Sequence, residues 1–134
     1  MGAYLRRHRV LLAATAILAV PAAFWGWEAT AFPRGQFAAW RDVRHGKYQE
    51  LTYGLKVQWF PYYAILLQAR YRIEVRCLAS RLVPNGIVSY AAGYNAVSVP
   101  AAKRRFGHDV FRECRDEARG DWARWQESTS GGSN

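Results

Sequence analysis

The chain has 134 residues, with 19 Lys and Arg against 10 Asp and Glu, a formal net charge of +9, six Trp, eight Tyr, six Phe and two Cys. That length holds one domain with one modest core, and the aromatic content excludes a disordered chain, because such side chains supply the burial that offsets chain entropy. The positive surplus favours acidic partners, namely anionic lipid head groups, nucleic acid or an acidic protein face, and biased arginine usage is the competing explanation.

Residues 1–9 form a basic tail carrying Arg6, Arg7, His8 and Arg9. Residues 10–27 contain no charge, and the apolar run extends to residue 32 with Glu28 as its one interruption. About 20 apolar residues in a helix cover the roughly 30 Å hydrocarbon core, so residues 10–32 are expected to form a single transmembrane helix. Small residues at Ala29 and Ala31 also fit a cleavable signal peptide. The run is longer than the usual apolar stretch of about 7–15 residues, however, and ends in Phe24, Trp25 and Trp27, where an aromatic belt belongs. The reading is a retained signal anchor in the cytoplasmic (inner) membrane. Its N-terminus lies in the cytoplasm and the remainder lies outside, because crowded basic residues resist translocation. Thr15, Ala19 and Ala23, with Ala22 and Gly26, recur at four-residue intervals and make a strip of small side chains suited to close helix packing, although Ala-rich segments also produce this spacing by chance.

Residues 33–127 are expected to form a small basic domain. Pro33 restarts a helix over residues 34–45, in which Phe37, Trp40 and Val43 share a face while Arg34, Arg41 and Arg44 point elsewhere, ready for lipid phosphates. Gly46 closes it. Leu55, Val57 and Trp59 alternate with Lys56 and Gln58, which marks a half-buried strand. Pro61 opens a short helix through YYAILLQAR. From Tyr71 to Ala79 the period returns to two, with Ile73, Val75 and Cys77 on one face and Arg72, Glu74 and Arg76 on the other. Pro84, Asn85 and Gly86 read as a turn, and IVSYAA as the return strand of an antiparallel hairpin. Ser98 then caps a helix ending at Gly107, with Lys103, Arg104 and Arg105 in its last turn. Asp109 caps a final helix carrying Val110, Phe111, Cys114, Ala118, Trp122 and Trp125 on one face. Residues 128–134 read as a disordered tail. The expected class is α+β, an N-terminal transmembrane helix followed by an antiparallel sheet of about three strands packed on helices.

The chemistry is sparse. Cys77 and Cys114 fall on inward faces and are expected to pair in a disulfide, given export; two buried thiols are the alternative. The cysteines and the three histidines lack metal-ligand spacing, and His108 with Cys114 does not suit nucleophilic catalysis, since six residues along a helix separate their faces. Asp116, Glu117 and Asp121 interleave with arginines at helical spacing and pair with them. No phosphate loop, dinucleotide fingerprint or nucleophile elbow occurs in the sequence, so no catalytic residue, metal, cofactor or small-molecule substrate is expected. Lys103, Arg104 and Arg105, near Tyr90, Tyr94 and Phe106, make the best binding patch, and dipole complementation is its plainer explanation.

These features point to a non-catalytic accessory or stabilising subunit docked on an integral membrane protein complex. The membrane helix would pack through its small residues, and Trp25, Trp27, Arg34, Trp40, Arg41, Arg44 and the basic run would meet the partner or lipid head groups. A secreted or periplasmic binding or inhibitor module is the alternative. Nucleic acid is disfavoured because export would remove the protein from it.

Overall fold

The computed structural model describes residues 19–130. Residues 19–29 are helical (α1), and Thr30 separates them from α2, Ala31–Arg44. Then follow β1, Gln49–Tyr53; α3, Phe60–Tyr71; β2, Glu74–Ala79; α4, Asn85–Phe106; and α5, Val110–Ser130. The class is α+β, and the sheet has two strands, β1 and β2, paired in parallel with Gln49 opposite Glu74 and Thr52 opposite Cys77. A parallel pair needs a crossover, and α3 supplies it.

Helices cover both faces of this sheet. Leu51 and Leu78 pack with Ala39, Ala91 and Tyr94 of α2 and α4. Ile73 and Val75 pack on the other side with Tyr63 and Leu67 of α3, and with Val110, Phe111, Cys114 and Ala118 of α5. Two helix ends show their sequence causes directly. The Arg112 N–H donates to Asp109 Oδ1 at 3.1 Å, the expected N-cap of α5. α4 ends on Gly107 at φ +79°, a left-handed position that glycine adopts without steric cost.

The crossing of α2 over α4 is made by small residues. Ala31, Gly35 and Ala39 are the buried residues of α2, spaced at one per helical turn. A Cβ on Gly35 would lie 2.2 Å from the Tyr90 carbonyl oxygen, and one on Gly93 would lie 2.1 Å from that of Phe32. The two backbones therefore touch, and only glycine fits at either point. The other face of α2 carries Phe37 and Trp40, 65% and 50% exposed.

Several expectations are corrected. Among the described residues no helix is long and apolar enough to cross a membrane. This overturns the transmembrane anchor over residues 10–32, and with it the single-pass topology, the cytoplasmic N-terminus and the extracytoplasmic placement of the domain. Residues 1–18, including Thr15, lie outside the described residues. The physical reason lies in the far end of the run. Thr30 donates its hydroxyl to the Gly26 carbonyl at 2.7 Å as α1 ends, the Arg34 Nη2 donates back to the Trp27 carbonyl at 2.8 Å, and Glu28 sits against Gly86 at the start of α4. Ala31 is fully buried. These residues join the domain.

The three-stranded antiparallel sheet gives way to the two-stranded parallel one. Residues 55–59 form no strand, and Leu55 and Val57 remain exposed. Asn85 and Gly86 open α4 rather than a hairpin turn, and IVSYAA lies within that helix. Ala91, Tyr94, Ser98, Ala101 and Ala102 are its buried residues, along with Gly93. This helical period over about three turns outweighs the local strand propensity of Ile87, Val88 and Tyr90. Ser98 is thus mid-helix, not a cap. Residues 128–130 are helical rather than disordered, and residues 131–134 lie outside the described set. Cys77 and Cys114 are both free, the first exposed and the second buried, so the expected disulfide is absent. Ile73 and Val75 reach the cluster that contains Cys114, whereas Cys77, two residues on, lies outside it.

Candidate functional site

The two basic helix ends come together. Tyr48, just after α2, packs edge-on against Phe106 in the last turn of α4, ring centroids 6.3 Å apart. The chain leaving the basic last turn of α2, which carries Arg41 and Arg44, thus meets the basic last turn of α4, which carries Lys103, Arg104 and Arg105. Arg41 lies 3.8 Å from Asp42, and Lys103 lies 2.5 Å from Asp109. Burial works to raise the Asp109 carboxyl, but the Lys103 ammonium and the Arg112 N–H outweigh it and hold the group below its ordinary value. Among the described residues no carboxylate forms an ion pair with Arg44, Lys47, Arg104 or Arg105. Arg44 instead lies over the Trp40 ring at 4.5 Å, and Trp40 stacks on Phe37 at 6.3 Å. The result is an exposed apolar ridge on α2 running into a cationic end.

The expected residues near α1 lie at the opposite end of α4, a helix of 22 residues and so about 33 Å long. Ala19, Ala22, Ala23 and Gly26 are exposed, and a Cβ on Gly26 would meet nothing within 4 Å. Trp25 and Trp27 are exposed at 75% and 63%. Arg34 lies 3.7 Å over the Trp27 ring, with its Nε buried and unpartnered among the described residues. Two clefts of about 510 and 570 Å³ run between α1 and the start of α4, sharing Phe24, Glu28 and Pro84.

Three polar clusters carried no sequence signal, because each joins residues distant in the chain. Tyr63 Oη donates to Glu50 Oε2 at 2.5 Å, with the Arg115 guanidinium 5.7 Å from the Tyr63 ring centre. Burial raises the Glu50 carboxyl above its ordinary 4.5, against the lowering hydrogen bond from Tyr63 and charge of Arg115; burial and Glu50 together push the Tyr63 phenol up. On the surface, Arg70 clamps Glu117 with two bonds of 2.6 and 2.7 Å and holds that carboxyl below its ordinary value. Beside it, Tyr71 Oη donates to Glu113 Oε1 at 3.0 Å while His108 Nε2 lies 2.7 Å from Glu113 Oε2. Third, Tyr94 Oη donates to Asp42 Oδ2 at 2.8 Å. On α5, Arg112 faces Asp116 at 3.7 Å and Arg124 pairs with Asp121, the pairing their spacing implies.

Burial raises the Cys114 thiol above its ordinary value, which disfavours the thiolate that a nucleophile requires. Among the described residues no group of three His, Cys, Asp or Glu side chains is placed to hold a metal ion. No protein-family model, curated protein or solved structure matches the chain.

Proposed function

We propose that the chain is a non-catalytic docking module, an accessory or stabilising subunit that binds an acidic surface of a larger protein assembly through the basic end of α2 and α4 and the adjoining ridge of Phe37 and Trp40. The observation that carries this reading is the convergence of two basic helix ends through Tyr48 and Phe106. Dipole complementation asks for about half a charge per helix end. Arg44, Lys47, Arg104 and Arg105 exceed that demand, and aromatic and Arg side chains are the types that dominate protein interfaces.

The test places a photoreactive residue at Trp40 or Arg105 in the full chain and identifies what is captured in the native cell. Both positions are expected to capture the same protein, and replacing Arg44, Arg104 and Arg105 together by Glu is expected to abolish capture while the circular dichroism stays unchanged. Unrelated captures from the two positions overturn the reading. So does binding of the purified protein to anionic phospholipid vesicles or RNA with no protein captured.

A further inference from the structure

The two edges of the sheet are treated differently. On the outer edge of β1, the Leu51 N–H donates to Asn95 Oδ1 at 2.8 Å and Asn95 Nδ2 donates to the Leu51 carbonyl at 2.7 Å. Ser98 Oγ accepts from the Gln49 N–H at 3.2 Å and donates to the Gln49 carbonyl at 2.6 Å. Two side chains of α4 thus stand where a third strand would. Since Gln49 and Leu51 turn outward to α4, Glu50 and Thr52 turn inward to β2. The Glu74 N–H donates inward to the Tyr48 carbonyl at 3.2 Å. The alternation of the ladder then turns Arg76 inward as well and leaves the main-chain groups of Val75 and Cys77 facing away from β1. Among the described residues no strand pairs there. Beside Val75 runs an open groove of about 610 Å³, lined by Ala64, Ile65 and Ala69 of α3. Ile65 is 63% exposed.

We propose that this edge pairs with the same edge of a second copy. The two β2 strands run antiparallel about a twofold axis at Val75, giving one four-stranded sheet in the order β1, β2, β2, β1. The charges of the strand select this occupant and this register. With Val75 opposite Val75, Glu74 of each copy stands opposite Arg76 of the other, so one symmetry operation makes two ion pairs. Among the described residues Arg76 has no carboxylate partner within its own chain. The register that sets Val75 opposite Cys77 puts the two Arg76 side chains against each other. The register centred on Cys77 puts Arg76 opposite Leu78 and makes neither pair. In the selected register the sheet remains continuous, so the two α3 helices lie on its same face, and Ile65 and Ala69 of each copy cover the other's groove. A bare edge is otherwise a template for uncontrolled pairing, and closing it on itself removes that exposure.

Sedimentation velocity of the full chain under reducing conditions tests this. The protein is expected to be dimeric at tens of micromolar. Val75→Pro, which removes an outward N–H and leaves the β1 ladder intact, is expected to be monomeric with unchanged circular dichroism. Glu74→Arg and Arg76→Glu are each expected to be monomeric alone and to form a dimer when mixed in equal amounts, because Arg at both positions of one copy then faces Glu at both positions of the other. A monomeric wild type overturns the proposal, as does a dimer that survives all three substitutions. If Val75→Pro fails to fold, the mixing experiment decides: recovery of a dimer supports the proposal, and two non-interacting monomers overturn it.

Discussion

Gly26 and Gly35 are both helical glycines in the first third of the chain, yet their surroundings are opposite. Open space surrounds the one, while the Tyr90 carbonyl oxygen would lie 2.2 Å from a Cβ on the other. Gly26→Ala is expected to be neutral or to stabilise by up to about 1 kcal/mol. Gly35→Ala forces two backbones apart and is expected to cost about 3 kcal/mol, lowering the thermal midpoint by about 10 °C or more in a domain of this size. Equal midpoints for the two variants would contradict the crossing. Asn95→Ala is expected to cost about 2–3 kcal/mol in urea unfolding, because it leaves both main-chain groups of Leu51 without their partner. Glu50 supplies a pH dependence. Its folded value is raised by burial above 4.5, so below 4.5 the group is protonated in folded and unfolded chains alike and makes no difference. As pH rises from there through the folded value, the unfolded chain releases its proton first and stability falls. Glu50→Gln, which keeps an acceptor for Tyr63, is expected to unfold at a higher temperature than wild type at neutral pH, with the difference shrinking as the pH approaches 4.5. A difference independent of pH would show that the Glu50 carboxyl is not destabilised by its burial.

At the scale of elements, legibility followed the length of the periodic signal. α2, α3 and α5 were readable from Pro33, Pro61 and Asp109 at their starts and from the spacing of their apolar residues. Val75 and its neighbours showed a strand period, but nothing local tells a parallel partner 25 residues upstream from an antiparallel one just downstream. The sequence divides α4 in two, because Ile87 to Ala92 has strand composition and Gly93 looks like a breaker; its helical period emerges only over the whole span of buried positions from Ala91 to Ala102. Gly93 is there for a contact with Phe32 in another helix, which local sequence does not display. Ala31, Gly35 and Ala39 repeat the four-residue spacing of Ala19 and Ala23, and they are the ones buried against another helix of the domain. The start of α4 lacks a side-chain cap and any acid in its first turn, and Glu28 of α1 stands there instead. A Cβ at Gly86 would come within 2.6 Å of the Glu28 carboxylate. Glu28→Ala is therefore expected to release α1 from α4, seen as faster amide hydrogen exchange over residues 24–29 with little change in the far-ultraviolet dichroism. Unchanged exchange would mean that Glu28 does not hold α1.

For the whole molecule, the basic end was partly legible: Arg41, Arg44 and Lys103 to Arg105 were visible as separate clusters, but their meeting depends on Tyr48 reaching Phe106. At the far end of the apolar leading run, hydropathy alone does not distinguish lipid from the remainder of the domain as the neighbour of Ala31. The small parallel sheet organises the rest, with one edge closed by α4 and the other open, and the docking end and the proposed pairing edge both depend on that arrangement. Amide hydrogen exchange along β2, measured by NMR in dilute and concentrated samples, tests it most directly. The account predicts slow exchange at Glu74 and Arg76 in both, and at Val75 fast exchange when dilute and slow exchange when concentrated. Slow exchange at Val75 together with fast exchange at Glu74 and Arg76 would contradict the register of the sheet and everything built on it.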